Sequence, residues 1–333
     1  MYDFEPESVK KFIEENEANK VAVQLPSGLR PYYSEIKKDY DEAGVKALFL
    51  TGSCFGACDI ADREAETMEC DALVHYGHAD MGVPTSIPVL YVEAHMEAEP
   101  FDVLEKALPE LRGSVWGLTT TVQHIDHLYE VKEVLSGEKI KSVIGDPGPR
   151  AKYPGQILGC DWGSARSVSG EVDGFIYIGT GEFHPVGIIL ATGKPVISIN
   201  PLADDYERTN PELEKFMRKR WAVIAEAKSC QSFGVLVSVK GGQNRMSLAE
   251  SLSEKLDKQG YDSCILVADD VNTEALRDFQ IEAFVNTACP RLAISDEELF
   301  DGPVLTPFEA EVLIGDRDWE DYHLNGIGIN FEI

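Results

Sequence analysis

One plan of strand, turn and strand occurs three times along this chain, and this repetition restricts its possible folds more than any other feature. In residues 73–94, 175–200 and 284–309, an apolar strand leads into a turn that carries histidine or cysteine. Each copy then ends in a strand that begins with Pro-Val. The copies are spaced by roughly 110 residues, which indicates internal triplication.

Short β-branched apolar runs alternate with helical stretches, which is typical of parallel α/β units. Each third of the chain opens on such a run, at residues 21–25, 115–118 and 233–239, and a polar or glycine-bearing turn follows each run. We therefore predict an α/β protein of three similar domains. Each domain has a parallel sheet flanked by helices, and the three take a pseudo-threefold arrangement.

Two charged helical stretches, residues 100–112 and 210–228, connect the thirds, and we expect their charges on the solvated face. The predicted domains are residues 1–104, 105–212 and 213–333. No low-complexity linker interrupts the chain, so we expect the three units to pack as one body.

The composition excludes several classes of protein. The 58 acidic residues against 30 basic ones give a formal charge of -28, which repels a nucleic-acid backbone. No apolar run is long enough to span a membrane, and the acidic start has no signal-peptide core. The seven cysteines are an odd number at irregular spacing, which does not suit a disulfide framework. We expect a reducing, cytoplasmic setting.

Three cysteines, Cys58, Cys160 and Cys289, each follow an apolar run, one in each third of the chain. A local metal site would cluster its cysteines, whereas these are expected to converge from three domains. Three thiolates suit a 4Fe-4S cluster that has one iron open for chemistry. Zinc is an alternative, with His184 as the fourth ligand that a closed structural site needs.

The other four cysteines are weaker candidates. Cys54 and Cys58 form a C-x-x-x-C pair, but no third cysteine follows at the spacing of the compact loop that most radical S-adenosylmethionine enzymes use. Cys70, Cys230 and Cys264 lie at predicted helix ends or strands, where a free cysteine behaves as a small buried hydrophobe.

Two glycine-rich turns, residues 178–184 and 240–244, follow predicted strands, and ligands of α/β proteins bind at such strand ends. From these turns we take Gly181, His184 and Gln243 as candidate cofactor-binding residues. Arg291 stands two residues after Cys289, where its guanidinium could hold a substrate carboxylate. The alternatives are ordinary strand-to-helix turns and a structural arginine.

The pair His75 and His78 is either a metal or acid-base pair, or buried histidine satisfied by the backbone. No Ser-His-Asp order, H-E-x-x-H motif or paired-carboxylate loop is present, so hydrolytic chemistry has no visible residues.

Several of these segments together resemble a known family. FGACDIAD (55–62), LVHYGHA (73–79), PGQILGCDWGSAR (154–166), KGGQNR (240–245) and VNTACPR (285–291) are similar to the archaeal enzymes of the first step of diphthamide biosynthesis. The resemblance covers nearly the whole chain.

The resemblance implies a homodimer in which Cys58, Cys160 and Cys289 hold a 4Fe-4S cluster. It further implies that S-adenosylmethionine, as cosubstrate, is cleaved between sulfur and the methionine γ-carbon after one-electron reduction, which requires an electron donor. The resulting 3-amino-3-carboxypropyl radical adds to imidazole C2 of a histidine in elongation factor 2. Cys54 is then not a ligand.

Two other functions remain as alternatives. A quinolinate synthase-like 4Fe-4S dehydratase also has three α/β units with one cysteine each, but it does not use S-adenosylmethionine. A non-catalytic partner subunit of a homologous synthase is the second alternative. Such a subunit would be expected to lose cluster ligands, whereas all three cysteines are present here.

Overall fold

A computed structural model gives the fold of this chain and describes residues 2–321. The first sheet and its helices comprise α1 (Pro6–Glu15), β1 (Lys20–Gln24), α2 (Tyr33–Ala43), β2 (Lys46–Leu50), α3 (Asp62–Thr67), β3 (Ala72–Tyr76) and β4 (Val89–Val92).

The second sheet and its helices comprise α4 (Phe101–Leu111), β5 (Val115–Thr120), α5 (His127–Gly137), β6 (Lys141–Ile144), α6 (Gly163–Val168), β7 (Gly174–Ile178), α7 (Phe183–Thr192), β8 (Val196–Asn200) and β9 (Asp205–Thr209). The third comprises α8 (Leu213–Ala227), β10 (Ser232–Ser238), α9 (Met246–Lys258), β11 (Asp262–Ala268), α10 (Thr273–Arg277), β12 (Ala283–Asn286), α11 (Arg291–Ile294), β13 (Val304–Leu305) and α12 (Pro307–Ile314).

The three sheets share one strand order. They run β2-β1-β3-β4, β6-β5-β7-β8-β9 and β11-β10-β12-β13, so in each the first strand of the unit lies between its second and third. All pairings are parallel except that of β8 with β9, which adds an antiparallel edge to the second sheet. The predicted α/β fold with three similar, mostly parallel sheets is confirmed.

The central strands are apolar because helices cover both faces of each sheet. Every residue of β3 and β7 is buried, as are Val21–Gln24 of β1. Helices α2, α7 and α12 each end at a glycine in the left-handed region, where a residue without Cβ is least strained. Within residues 2–321, no helix has the length and apolar character needed to cross a bilayer.

Two connector helices pack on the sheets that follow them. Val103, Leu104 and Leu111 of α4 are buried in the core of the second sheet, and α8 contributes Ile224 and Ala227 to the third. The boundaries near 104 and 212 stay a prediction.

One expectation for α8 is wrong, because Arg220 points into the protein and is 1% exposed. Its guanidinium donates to both carboxylate oxygens of buried Glu309, at 2.7 and 2.6 Å, and it also bonds Glu297. A buried guanidinium is stable here because its donors meet carboxylates and the carbonyls of Ala293 and Val304.

We predict that Arg220→Ala lowers the free energy of unfolding by about 3–5 kcal/mol, because it leaves a buried carboxylate without its cation. Urea denaturation measures this loss. The matched control is Arg218→Ala, two residues earlier in the same helix. Arg218 forms an exposed pair with Glu214, which should contribute at most about 1 kcal/mol. Equal losses in the two variants would contradict the structural role of Arg220.

Candidate functional site

The three cysteines of the predicted cluster lie in loops at the carboxyl ends of strands. Cys58 is in the loop after β2, Cys160 in the loop after β6 and Cys289 in the loop after β12. The loops come together, because negative charge on Cys58 or Cys289 raises the pKa of the Cys160 thiol. Negative charge on Cys58 likewise raises the pKa of the Cys289 thiol. The structure therefore places one cysteine from each sheet at a common centre.

The loop of Cys58 is held by the loop that follows β10. The Gly242 amide donates to the Cys58 carbonyl at 3.1 Å, and Gln243 Nε2 lies 3.3 Å from Cys58 Sγ. A Cβ on Gly242 would stand 2.5 Å from Cys58 Cα, closer than side chains approach. This contact joins the third sheet to the first and requires glycine at 242.

The loop of Cys160 is shaped by the carboxylate of Asp161. That carboxylate accepts the Gly163 amide at 2.8 Å and the amides of Arg150 and Ala151 at 2.8 and 3.2 Å. A Cβ on Gly148 would come within 1.9 Å of Asp161 Oδ1. Residues 148–163 therefore wrap around the buried Asp161 side chain, which accepts hydrogen bonds from three of their backbone amides.

The loop of Cys289 is fixed at both of its flanks. The Asn286 side chain donates to the Cys289 carbonyl at 2.8 Å and accepts the Ala288 amide at 3.0 Å. Arg245, at the start of α9, donates to the carbonyls of Thr287 and Ala288 at 2.9 and 3.3 Å. The turn that carries the Cys289 thiol is therefore hydrogen-bonded on both sides.

Burial dominates the electrostatics of the three thiols. It raises the pKa of Cys160 to about 12 and that of Cys289 to about 11, and it also raises the pKa of Cys58. The hydrogen bond from Gln243 opposes the shift at Cys58. Without a bound cation all three are protonated at neutral pH, so metal binding here must release protons.

Two arginines beside the thiols were missed by the sequence analysis. Arg150 donates to the Gly242 carbonyl at 3.0 Å and also hydrogen-bonds the Cys160 thiol. Burial, followed by the charge of Arg150, lowers the pKa of Arg245 to about 10, while the three thiols act in the opposite direction. The KGGQNR motif, which ends at Arg245, could have pointed to Arg245 as a residue of the site. The sequence around Arg150 contains no comparable motif.

This donor set fits a 4Fe-4S cluster. Three convergent sulfur ligands match cluster chemistry, and the assembled unit of three thiolates and an oxidised cluster carries net negative charge. The half-buried guanidinium groups of Arg150 and Arg245 would offset that charge.

The remaining candidate residues are Gln243, Arg291, His184 and Gly181. Gln243 contacts the Cys58 sulfur, as described above. Arg291 lies at the start of α11, with its guanidinium 4.9 Å from the centre of the Phe183 ring and 3.8 Å from the Asp296 carboxylate. The Phe183 ring also packs on Gly159, next to Cys160, so Arg291 lies near both the second and third cysteine loops.

His184 and Gly181 belong to the turn before α7 and its first residues. His184 Nδ1 is 3.3 Å from the Tyr177 hydroxyl, and burial together with the charge of Arg291 lowers the pKa of His184 to about 4. A cation beside His184 disfavours its use as a zinc ligand. Gly181 adopts a φ of 78° and is exposed.

The other cysteines differ in burial. Cys70 and Cys230 are buried, as expected of small hydrophobes. Cys264 is exposed on β11, the edge strand of the third sheet, so the expectation of burial is wrong there. Cys54 is buried close to Cys58, on the side of His75 and His78.

We predict that Gly242→Ala lowers the iron bound per chain after anaerobic reconstitution, because the added Cβ displaces the Cys58 backbone. Iron and sulfide analysis measures the loss. Gly52→Ala is the control in the loop of Cys58 itself, since a Cβ at that position has open space. Full iron content in Gly242→Ala would show that the loop of Cys58 tolerates displacement.

Comparisons with known proteins show the family of this chain. The family described as "Putative diphthamide synthesis protein" matches residues 25–323. The 2-(3-amino-3-carboxypropyl)histidine synthase of Pyrococcus horikoshii is 40% identical over 313 residues, covering 93% of this chain and 89% of that protein. Subunit 1 of the human enzyme of the same name is 29% identical, covering 96% of this chain and 73% of that protein.

A solved structure extends the likeness to three dimensions. The crystal structure of Dph2 from Pyrococcus horikoshii with a 4Fe-4S cluster superposes with a TM-score of 0.87 at 37% identity, covering 96% of this chain and 93% of that one. The chain therefore belongs to the diphthamide synthesis family and is an enzyme of the 2-(3-amino-3-carboxypropyl)histidine synthase type.

Proposed function

We propose that this chain transfers the 3-amino-3-carboxypropyl group of S-adenosylmethionine to imidazole C2 of a histidine in elongation factor 2. Cys58, Cys160 and Cys289 would hold the 4Fe-4S cluster that the reaction needs. The observation that carries the proposal is the convergence of these three thiols in a chain so similar to Dph2 with its cluster.

The overall reaction balances in atoms and electrons. When bound and reduced, the cluster supplies the one electron that cleaves the bond between sulfur and the γ-carbon of S-adenosylmethionine. The products of that cleavage are neutral methylthioadenosine and a 3-amino-3-carboxypropyl radical. The radical forms a bond to imidazole C2, and the hydrogen at C2 then leaves as a proton and an electron. One electron is consumed in the cleavage and one is released at the end, so an external donor is needed only for the first reduction of the cluster.

The residues of the chain have the tasks of binding and orientation. Gln243 donates to the Cys58 sulfur and Arg150 to the Cys160 sulfur, which lowers the energy of the thiolate forms. Arg291 would anchor the methionine carboxylate of S-adenosylmethionine, and His184 and Gly181 would line the same side. A radical addition needs no tuned general base to begin, which agrees with the absence of a hydrolytic dyad from the sequence.

The partners in this proposal follow from charge and family. The chain has a formal charge of -28, so a protein substrate with a basic surface is favoured over free nucleic acid. We also propose a homodimer that works in the cytoplasm. Quinolinate synthase-like chemistry is not favoured, because the matched family and relatives are diphthamide enzymes.

An anaerobic assay tests the reaction. With dithionite, S-adenosylmethionine and elongation factor 2, we expect methylthioadenosine and a gain on the factor equal to one 3-amino-3-carboxypropyl group by mass spectrometry. Cys160→Ala should abolish both products, whereas Cys70→Ala, the buried cysteine far from the site, should retain them. Formation of 5′-deoxyadenosine as the main product, or full activity in Cys160→Ala, would contradict the proposal.

Arg291 provides a separate test of cosubstrate binding. Loss of a charge-assisted pair costs on the order of 2–3 kcal/mol, which corresponds to tens to hundreds of fold in affinity. Calorimetry on Arg291→Ala should show this weakening for S-adenosylmethionine with iron content unchanged. Arg277→Ala is the control, since Arg277 pairs with Asp301 on the surface of the same unit. Equal affinity in the two variants would leave Arg291 a structural residue.

A further inference from the structure

A second group of metal-binding side chains lies at the carboxyl end of the first sheet. His75 is in β3, His78 is in the turn that follows, and Cys54 is in the loop after β2. In the strand order β2-β1-β3, this loop crosses the end of β1 to reach β3. One ligand atom from each of the three residues lies within 4.8 Å of the others.

The two imidazoles face one another. His75 Nε2 is 2.9 Å from His78 Nδ1; His75 is buried and His78 is half-buried. Sulfur and imidazole nitrogen are the ligands that zinc prefers, at about 2.3 Å for sulfur and 2.0–2.1 Å for nitrogen. Ligand atoms separated by less than 5 Å can therefore surround one ion after small side-chain rotations.

Gln24 determines which nitrogen of His75 is available. Its amide nitrogen donates to the Asp59 carbonyl at 2.7 Å, which orients its oxygen toward His75. That oxygen lies 2.8 Å from His75 Nδ1 and also accepts the Ala61 amide at 3.1 Å. Nδ1 of His75 must then carry the hydrogen, and Nε2 presents its lone pair to His78. A hydrogen bond from the outer nitrogen is the usual support of a metal-binding histidine.

The protonation states agree with this geometry. Burial holds the pKa of His75 well below its usual range and lowers that of His78 to about 4, so both imidazoles are neutral at physiological pH. Burial, with Asp59 nearby, raises the pKa of Cys54 to about 12, so its thiol is neutral in the free protein and loses its proton only when a cation binds. The trio would supply one negative charge and two neutral nitrogens.

We propose that Cys54, His75 and His78 bind one Zn²⁺ ion, with a fourth position open to water. Three protein ligands and one exchangeable position form an open zinc site. Tyr91 pairs with His75 across β3 and β4, and its buried hydroxyl has no hydrogen-bond partner among the described residues. This hydroxyl is the candidate partner for the water.

The site is distinct from the one that holds the cluster. It shares no ligand with Cys58, Cys160 and Cys289, yet Cys54 precedes Cys58 by four residues in the same loop. Zinc bound there would tie this loop to the end of β3. The inference does not depend on the proposed reaction.

Metal analysis of the full chain tests the site. The protein is reconstituted anaerobically with iron and sulfide, equilibrated with Zn²⁺, desalted and analysed for both metals. We expect one zinc per chain, lost in Cys54→Ser and in His78→Ala with iron retained. Cys70→Ser, a buried cysteine of the same unit, should keep both metals. Gln24→Ala should weaken zinc binding by roughly 10–100-fold, because His75 loses its orienting partner.

Co²⁺ gives a spectroscopic test that does not depend on recovery of zinc. In the variant with Cys58, Cys160 and Cys289 all replaced by serine, Co²⁺ should produce tetrahedral bands and a thiolate charge-transfer band. The charge-transfer band should vanish when Cys54→Ser is added. Zinc retained by Cys54→Ser, or zinc lost only with Cys160→Ser, would overturn the proposal. The iron content and the transferase assay report separately on the cluster site.

Discussion

The loop at residues 240–245, which follows β10, is the contact on which the three-cysteine centre depends. Its Lys240 ammonium lies 2.6 Å from the Asp59 carboxylate, next to Cys58, and its Gly242 amide donates to Cys58 itself. From the second sheet, Arg150 donates to the Gly242 carbonyl. At the end of the loop, Arg245 binds the turn before Cys289. One short segment therefore connects all three cysteine loops.

This arrangement concentrates positive charge within an acidic protein. Lys240 is 8% exposed although the chain carries a formal charge of -28, and Arg150 and Arg245 stand beside the thiols. Burying cations without partners is costly, so each meets a carboxylate, a carbonyl or a sulfur. Thiolates that carry a metal cluster would complete this compensation, which explains why cations surround a site built of neutral thiols in the free chain.

Much of the fold followed from patterns that act over a short range. The repeated plan of strand, turn and strand predicted three parallel sheets, because strands buried on both faces need continuous apolar runs. The cysteine positions after apolar runs predicted their place at strand ends. Arg220 and Cys264 escaped prediction. A charged helical residue is normally solvated, and a strand cysteine is normally buried, unless a partner or a sheet edge reverses the preference.

The sequence by itself determined the strands, their order of occurrence and the three loops that bear the cysteines, since these depend on periodicity and on neighbouring residues. Only the tertiary structure decided which groups face each sulfur. Gln243 reaches Cys58 across 185 residues of sequence, and Arg150 meets Gly242 across 92. The pairing of Cys54 with His75 and His78 likewise depends on how the loop after β2 crosses the sheet. Such contacts arise from the packing of separate units, which local propensity does not encode.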